Sequence, residues 1–147
     1  MKKFLLVLIV MVVVMGTLDQ SFAGIGFRKN GMTTVYHITK KSDWEKSGKA
    51  YTTDSLKTDK FIHCSTKSQV PIVANAFFKG QTDLVLLKIN PSKLQSTLKM
   101  EDGTVQLDGL SKDEKFPHIY GPINKDAVEA VLDFTPDSSG KFQAPKE

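Results

Sequence analysis

Three histidines, His37, His63 and His118, are the residues of this 147-residue sequence best suited to chemistry. Each lies in a short run of β-branched, aromatic and aliphatic residues that predicts a β-strand. Imidazole gains and loses a proton near neutral pH, and it also ligates metals. These positions therefore predict a site for proton transfer, ligand binding or metal binding.

Alternation along a strand divides each of these runs into two faces. If the three strands share a sheet, one face is polar and the other lines the core. The polar face then comprises His37, Thr39, His63, Ser65, His118 and Tyr120, and the core face Tyr36, Ile38, Ile62, Cys64 and Ile119. We expect a shared histidine-lined cleft. The alternative is three structural histidines whose rings bond to backbone groups.

Three kinds of chemistry are considered for such a cleft. Three histidines and a water can hold catalytic zinc, but these three are too far apart in sequence to resemble a compact ligand pair. A Cys–His nucleophile is disfavoured, because the adjacent His63 and Cys64 point to opposite faces of a strand. A nucleotide-like or sugar-phosphate ligand fits best, with imidazoles and hydroxyls on ribose and the amides of a helix start after Ser65 on an anion.

Glu101 is the acidic residue expected to act as a base or hydroxyl partner, unless it is a solvated carboxylate at a strand end. Cys64 is expected to be a small buried hydrophobe. The predicted catalytic residues are His37, His63, Glu101 and His118, and the predicted ligand-binding residues are Thr39, Ser65, Thr66 and Tyr120. No metal is assigned, and the cofactor stays unknown.

The elements that position these residues are predicted from periodicity and capping residues. A capping box of Ser42 and Glu45 predicts a short helix, and a second helix is expected from a Thr66 or Ser68 cap to Lys79 with Pro71 in its first turn. Strands are predicted over 33–39, 61–65, 83–90, 98–101, 104–107, 116–122 and 128–134, with a hairpin turn at Asp102-Gly103 and a frayed polar tail from Pro136. The fold class is α+β, one compact domain with a mixed or mostly antiparallel sheet of about six strands and two helices.

Both ends of the chain are predicted to lie outside this domain. Lys2 and Lys3, an apolar run over 4–15 and small residues before Gly24 are typical of a secretory signal peptide over 1–23, cleaved near Ala23. We therefore expect an exported protein, periplasmic or secreted, without a stable membrane anchor after cleavage; retention as an anchor is the alternative. A flexible tail over 24–32, a domain over 33–142 and a C-terminal tail over 143–147 follow.

Charge and cysteine content limit the partners of this domain. The formal net charge is +4, the lysines are dispersed, and the single arginine, Arg28, lies in the predicted tail. Bidentate arginine contacts to phosphate or guanine are then missing from the domain, so no nucleic-acid partner is expected. A small-molecule ligand is the expected partner, and the oligomeric state is left open. The single cysteine excludes an internal disulfide.

The sequence resembles the bacterial family numbered 952 among domains of unknown function. The resemblance lies in Val35-Tyr36-His37-Ile38 with Trp44, in 61–66 with Gln69 and Val70, in 76–78, 83–87 and Glu101, and in 116–122. Through it the chain is similar to the ADP-ribosyltransferase-like fold, which includes RNA 2′-phosphotransferases. That likeness implies a ribose on His37, a nicotinamide-like ring framed by His63 with Tyr120 or His118, and a 2′-hydroxyl on Glu101. A non-catalytic binding module is the alternative.

Overall fold

A computed structural model describes residues 33–146 of the chain. The predicted signal peptide and the tail over 24–32 lie outside the described residues. The fold is α+β with antiparallel strand pairs, as the sequence predicts. The elements are β1 (Val35–Lys40), α1 (Lys41–Lys46), β2 (Ala50–Tyr51), α2 (Ser55–Thr58), β3 (Ile62–His63), α3 (Val70–Phe77), β4 (Leu84–Ile89), β5 (Thr97–Asp102), β6 (Lys115–Tyr120), β7 (Ile123–Asn124) and β8 (Val128–Phe134), with 3₁₀ turns at Pro91–Lys93 and Lys125–Ala127.

The strands form three small sheets rather than the single sheet considered from sequence. Their orders are β1-β4-β8, β2-β7 and β3-β6-β5. The described residues thus hold eight strands and three α-helices, where about six strands and two helices were predicted. The additions, β2, β7 and α2, have two to four residues each, too few to produce a hydrophobic period.

Two hydrophobic cores lie on the two faces of the β1-β4-β8 sheet. Alternation along β4 directs Val85, Leu87 and Ile89 into a first core shared with β3 and β6, and Leu84 and Leu86 into a second core under α3. All five side chains are almost fully buried. A strand buried on both faces reads as a nearly continuous hydrophobic sequence, as Leu84–Ile89 does here.

The predicted hairpin at Asp102-Gly103 is wrong. Strand β5 pairs with β6 in the register Met100–Pro117, and residues 103–114 form a long connecting loop instead of a tight turn and a strand. Val105 is half-exposed there, so the alternating residues of 104–107 have no face that packs in the core. Gly103 lies at the loop start, where a Cβ atom would lie 2.8 Å from the Phe116 ring and would force that ring to shift.

Both predicted helix starts are corrected. Helix α1 begins at Lys41 after Lys40, which makes no side-chain cap, so Ser42 and Glu45 do not form the expected capping box. Helix α3 begins at Val70, with Pro71 in its first turn as predicted. The buried Gln69 side chain accepts a hydrogen bond from the Thr66 amide (2.9 Å), which places a turn between the end of β3 and the helix.

The frayed tail predicted from Pro136 is also wrong. Phe142 is 1% exposed and stacks on Phe134 with ring centroids 4.9 Å apart. The Asn75 side chain holds it there, accepting from the Phe142 amide (2.9 Å) and donating to its carbonyl (3.0 Å). A single aromatic residue in a polar segment therefore closes the second core. None of the helices within residues 33–146 has the length and hydrophobicity needed to cross a membrane.

Candidate functional site

The site lies where the β1-β4-β8 and β3-β6-β5 sheets separate. Tyr36 of β1 and Ser65 after β3 exchange two backbone hydrogen bonds of 2.8 Å, and this isolated bridge is the last ladder contact between the two sheets. Backbone direction alternates along a strand. Because both polar groups of Tyr36 point towards β3, those of Ile38 point the same way, away from β4.

The backbone N–H and C=O of Ile38 have no hydrogen-bond partner within residues 33–146, and Ile38 lines the cleft where the sheets part. Continuation of the antiparallel ladder would have placed His63 opposite Ile38. Instead the carbonyl of His63 accepts a hydrogen bond from Nδ1 of His37 (2.7 Å). The imidazole of His37 therefore takes the place of a ladder contact and keeps the two strands apart.

The cleft has a volume of about 530 Å³. Its walls come from β1, the segment 51–55, residues 63–65, the C-terminal half of α3, the start of loop 103–114, and β6. His37, His63 and His118 all line it, together with Thr39 and Ser65. Thr66, Glu101 and Tyr120 are outside this lining. The cleft thus brings together five of the eight residues predicted for the site.

His37 is buried and neutral. Its Nδ1 faces a carbonyl oxygen, so Nδ1 carries the proton, and the unprotonated Nε2 lies 3.1 Å from Tyr51 Oη. The Tyr51 hydroxyl donates a hydrogen bond to Thr39 Oγ1 (2.7 Å). Burial lowers the pKa of His37 to about 4, although the hydrogen bond to the His63 carbonyl opposes that shift. Both ring nitrogens are engaged, so His37 supports the cleft rather than offering a free group to a ligand.

His118 has a free nitrogen at the cleft. Its Nδ1 lies 3.0 Å from Glu101 Oε2, which also accepts a 2.7 Å hydrogen bond from the Tyr120 hydroxyl. The ring stacks on Phe61 with centroids 3.9 Å apart. No hydrogen-bond partner for its Nε2 is present in the described part of the chain, and His118 lines the cleft. A carboxylate that orients imidazole through Nδ1 and leaves Nε2 free is the arrangement of a general base.

The pKa shifts of His118, Glu101 and Tyr120 follow from the same contacts. Burial lowers the pKa of His118, and the hydrogen bond from its ring to Glu101 partly offsets that effect. The hydrogen bond from Tyr120, followed by that from His118, lowers the pKa of Glu101. Glu101 in turn raises the pKa of the Tyr120 hydroxyl. At neutral pH the group therefore consists of a neutral imidazole beside an ionised carboxylate.

His63 lies directly opposite His118 on the neighbouring strand, with its ring 5.6 Å from that of His118 and nearly perpendicular to it. Its side chain is 44% exposed, and Nε2 lies 2.9 Å from Asp59 Oδ2. That hydrogen bond lowers the pKa of Asp59. Asp59 was not singled out from the sequence. A carboxylate four residues before a histidine was the available signal, but it is too common in turns to be diagnostic.

One expectation about binding groups is not met, and the expectation that Cys64 is buried is confirmed. The amides of Thr66, Gln69 and Val70 are already hydrogen-bonded within the turn before α3, so no helix start adjoins Ser65 to receive an anion. Cys64 is buried in the first core, and burial raises the pKa of its thiol. Within residues 33–146 no cluster of three histidine, cysteine or acidic side chains is arranged to bind a metal ion.

Sequence reasoning missed the groups that shape the cleft most directly. Tyr51 lies outside every predicted helix and strand, although it is 3% exposed and is hydrogen-bonded to both His37 and Thr39. An aromatic residue in a polar loop was its signal. The free backbone of Ile38 had no signal in the sequence, because it depends on where two sheets separate.

Comparison with known proteins agrees with this fold. Residues 38–131 match the family described as "Protein of unknown function (DUF952)". The chain belongs to the DUF952 family. This confirms the resemblance drawn from the sequence motifs.

Solved structures of protein CC0527 from Caulobacter crescentus are similar to this DUF952 domain. Its crystal structure is 30% identical in sequence, with a TM-score of 0.63, and the match covers 76% of this chain and 94% of CC0527. The solution NMR structure of the same protein gives 30% identity and a TM-score of 0.60, over 76% of this chain and 93% of that one. No curated protein matches the chain.

Proposed function

We propose that this DUF952 domain binds a nucleotide of the ADP-ribose type in the cleft and transfers its ribosyl group. The observation that carries the proposal is that Ile38, whose backbone N–H and C=O are directed away from β4, lines the same cleft as His118, whose Nε2 has no hydrogen-bond partner among the described residues. One group recognises a ligand amide and the other accepts a proton. A cleft of about 530 Å³ has the size of a small-molecule site.

The backbone N–H and C=O of Ile38 are complementary in hydrogen bonding to a primary carboxamide. The ligand oxygen accepts from the Ile38 N–H, and the ligand NH₂ donates to the Ile38 C=O, as a neighbouring strand would do. Each such bond contributes about 1 kcal/mol net, and an unpaired backbone group at this buried edge favours a partner by a similar amount. A nicotinamide ring carries this carboxamide on a planar ring, and the imidazole of His63 supplies an edge beside it.

The chemistry requires only one protein base. When the glycosidic C–N bond of a nicotinamide riboside breaks, both bonding electrons go to the pyridinium ring, which leaves as neutral nicotinamide and needs no acid. The acceptor oxygen, from water or a hydroxyl, bonds to the ribose C1′ and passes its proton to Nε2 of His118. Glu101 stabilises the resulting imidazolium through Nδ1. Glu101 thus acts through His118 in this proposal, rather than on the ribose.

The test combines binding with turnover. Two-dimensional NMR of the purified protein with nicotinamide, ADP-ribose and NAD should perturb the signals of Ile38 and His118, and NAD should release nicotinamide. Glu101→Gln should lower that release about 10²–10⁴-fold without weakening binding. Asp102→Asn is the matched control, because it is a surface carboxylate on the same strand paired with Lys115. Absence of any carboxamide binding would refute the proposal.

A non-catalytic binding module is the second candidate. It is favoured by the position of Glu101 outside the cleft lining and by the engagement of both nitrogens of His37. These leave His118 as the one imidazole of the three whose Nε2 has no hydrogen-bond partner within the described residues. Saturable binding of the carboxamide ligand with no nicotinamide release, and no effect of Glu101→Gln, would select this candidate.

A further inference from the structure

His63 and Asp59 form a second carboxylate–imidazole pair, which the proposed reaction does not use as an acid or a base. Nε2 of His63 lies 2.9 Å from Asp59 Oδ2. In the same way, Nδ1 of His118 lies 3.0 Å from Glu101 Oε2. The remaining ring nitrogens, Nδ1 of His63 and Nε2 of His118, have no hydrogen-bond partner among the described residues. Two imidazoles, each oriented by a carboxylate, therefore line one cleft.

Strand pairing places the two rings side by side. His63 of β3 is directly opposite His118 of β6, and the ring centroids are 5.6 Å apart. In enzymes that hydrolyse glycosidic bonds, the two catalytic carboxyl groups flank the bond at a separation of about 5–9.5 Å. The separation of the imidazoles falls within that range. They therefore have the spacing of a general acid and a general base that act on one glycosidic carbon.

The surroundings of the two rings assign these roles. The His118 side chain is 4% exposed and burial lowers its pKa, so this ring is neutral and suits the base. The His63 side chain is 44% exposed and faces the Asp59 carboxylate at ion-pair distance. A protonated His63 is therefore paired with a negative charge, and it can regain its proton from solvent after each turnover. His63 suits the acid.

The charge and the volume of the cleft fit an uncharged riboside. Among the described residues that line it, the lysine is Lys40 and the carboxylate is Asp43, so their charges offset each other and give no excess of positive charge for a phosphate. A cavity of about 150 Å³ is enough for one benzene molecule, so about 530 Å³ accommodates roughly three ring-sized groups. A ribose with a one-ring or two-ring base has that size.

The backbone of Ile38 is as complementary to a nucleobase as to a carboxamide. Its N–H and C=O are directed away from β4 and have no hydrogen-bond partner within residues 33–146. Hypoxanthine and uracil each carry a carbonyl oxygen beside a ring N–H. This acceptor and donor lie side by side as in a primary carboxamide, so the same backbone groups can bind an uncharged base.

We infer that the cleft also hydrolyses uncharged N-ribosides, with His63 as the general acid for the departing base. The inference rests on the proposed function and names a further substrate class for the same site. Nicotinamide leaves as a neutral ring and needs no acid, whereas hypoxanthine leaves as an anion unless it is protonated. Asp59 is the positioning residue of His63.

The reaction is balanced with the two imidazoles and one water. When the C1′–N bond breaks, its electron pair goes to the base, and a ring nitrogen of the base takes the proton from Nδ1 of His63. The water oxygen bonds to C1′, and its proton goes to Nε2 of His118. Both rings then exchange protons with solvent. The net reaction converts the riboside and water into ribose and the free base.

The test uses leaving groups that differ in their need for a proton. The purified protein is assayed with inosine, whose base needs an acid, and with p-nitrophenyl riboside, whose phenolate leaves unprotonated. His63→Gln should lower inosine hydrolysis about 10²–10⁴-fold, and at least about tenfold more than hydrolysis of the phenyl riboside. Asp59→Asn should show the same selectivity with a smaller loss. Asp54→Asn is the matched control and should change neither rate, because Asp54 is an exposed carboxylate that pairs with Lys57.

Each outcome separates the two proposals. A selective loss of inosine hydrolysis supports the inference. Release of nicotinamide from NAD without any hydrolysis of inosine would refute it and leave the proposed function standing. Equal losses on both ribosides, in His63→Gln and in Asp59→Asn, would refute the acid role, because a purely structural effect does not depend on the leaving group. If inosine, p-nitrophenyl riboside and NAD all stay intact, both proposals fail.

Discussion

The buried imidazole of His37 should make the folded protein unstable in mild acid. In the folded state the pKa of His37 is about 4, against 6.5 for a free histidine. Between these two pKa values the unfolded chain therefore binds a proton at His37, and the folded chain does not. The stabilisation is complete well above pH 6.5, is lost as the pH falls below 6.5, and changes no further below about pH 4.

The magnitude follows from the two pKa values. Between pH 7 and pH 5 the free energy of unfolding should decrease by about 2 kcal/mol through His37 alone. His118, whose pKa is also lowered by burial, acts in the same direction. Stopping at pH 5 keeps the measurement above the range where carboxylates with lowered pKa values begin to contribute.

The assay is chemical denaturation at pH 7 and pH 5 for the wild type and for His37→Gln. The variant should lose about 2 kcal/mol of the pH dependence. Tyr51→Phe is the control: it removes a hydrogen bond and costs about 1 kcal/mol, but leaves His37 buried, so its pH dependence should match the wild type. A histidine NMR titration reads the His37 pKa directly. Equal pH dependence in wild type and His37→Gln, or a His37 pKa near 6.5, would refute the reasoning.

Two further predictions concern stability. Phe142→Ala should destabilise the fold by about 3–5 kcal/mol in urea denaturation, because it leaves a cavity in the second core. Phe77→Ala is the control and should cost less than about 0.5 kcal/mol, because Phe77 is half-exposed. Similar losses for both variants would contradict the packing of the C-terminal segment. Gln69→Ala should cost about 3 kcal/mol, since it leaves the Thr66 amide and the Lys115 carbonyl without the side-chain partners seen at 2.9 and 2.8 Å. Gln69→Glu is its companion, and it should be destabilising as well because Glu cannot donate to that carbonyl.

Much of the local structure could be predicted from the sequence, because it depends on periods of a few residues. The strand β8 and the hydrophobic strand β4 lie where alternation and composition placed them. The two faces of the His63 strand were also predicted correctly, with Ile62 and Cys64 in the core. The hairpin at Asp102-Gly103 failed, because its turn signal was local whereas the partner of β5 was the distant β6.

The polar side chains of the site were selected by residue type, but their roles were not. Two histidines next to one another in a sheet, His63 and His118, were a reasonable expectation from their strands. The sequence could not show that Glu101 is hydrogen-bonded to His118 instead of lining the cleft, because that depends on the register of β5 against β6. Nor could it show that His37 would be closed to ligands by Tyr51.

By itself, the sequence determined the fold class and the family and selected the residues proposed for the site, since these are recorded in composition, alternation and motif. Only the tertiary structure decided where the two sheets part, and with that which groups are left without partners. The free backbone of Ile38 exists because the His37 ring takes the carbonyl that a ladder would have used. Which backbone groups lack a hydrogen-bond partner depends on two strands that are distant in sequence, so no local sequence pattern encodes it.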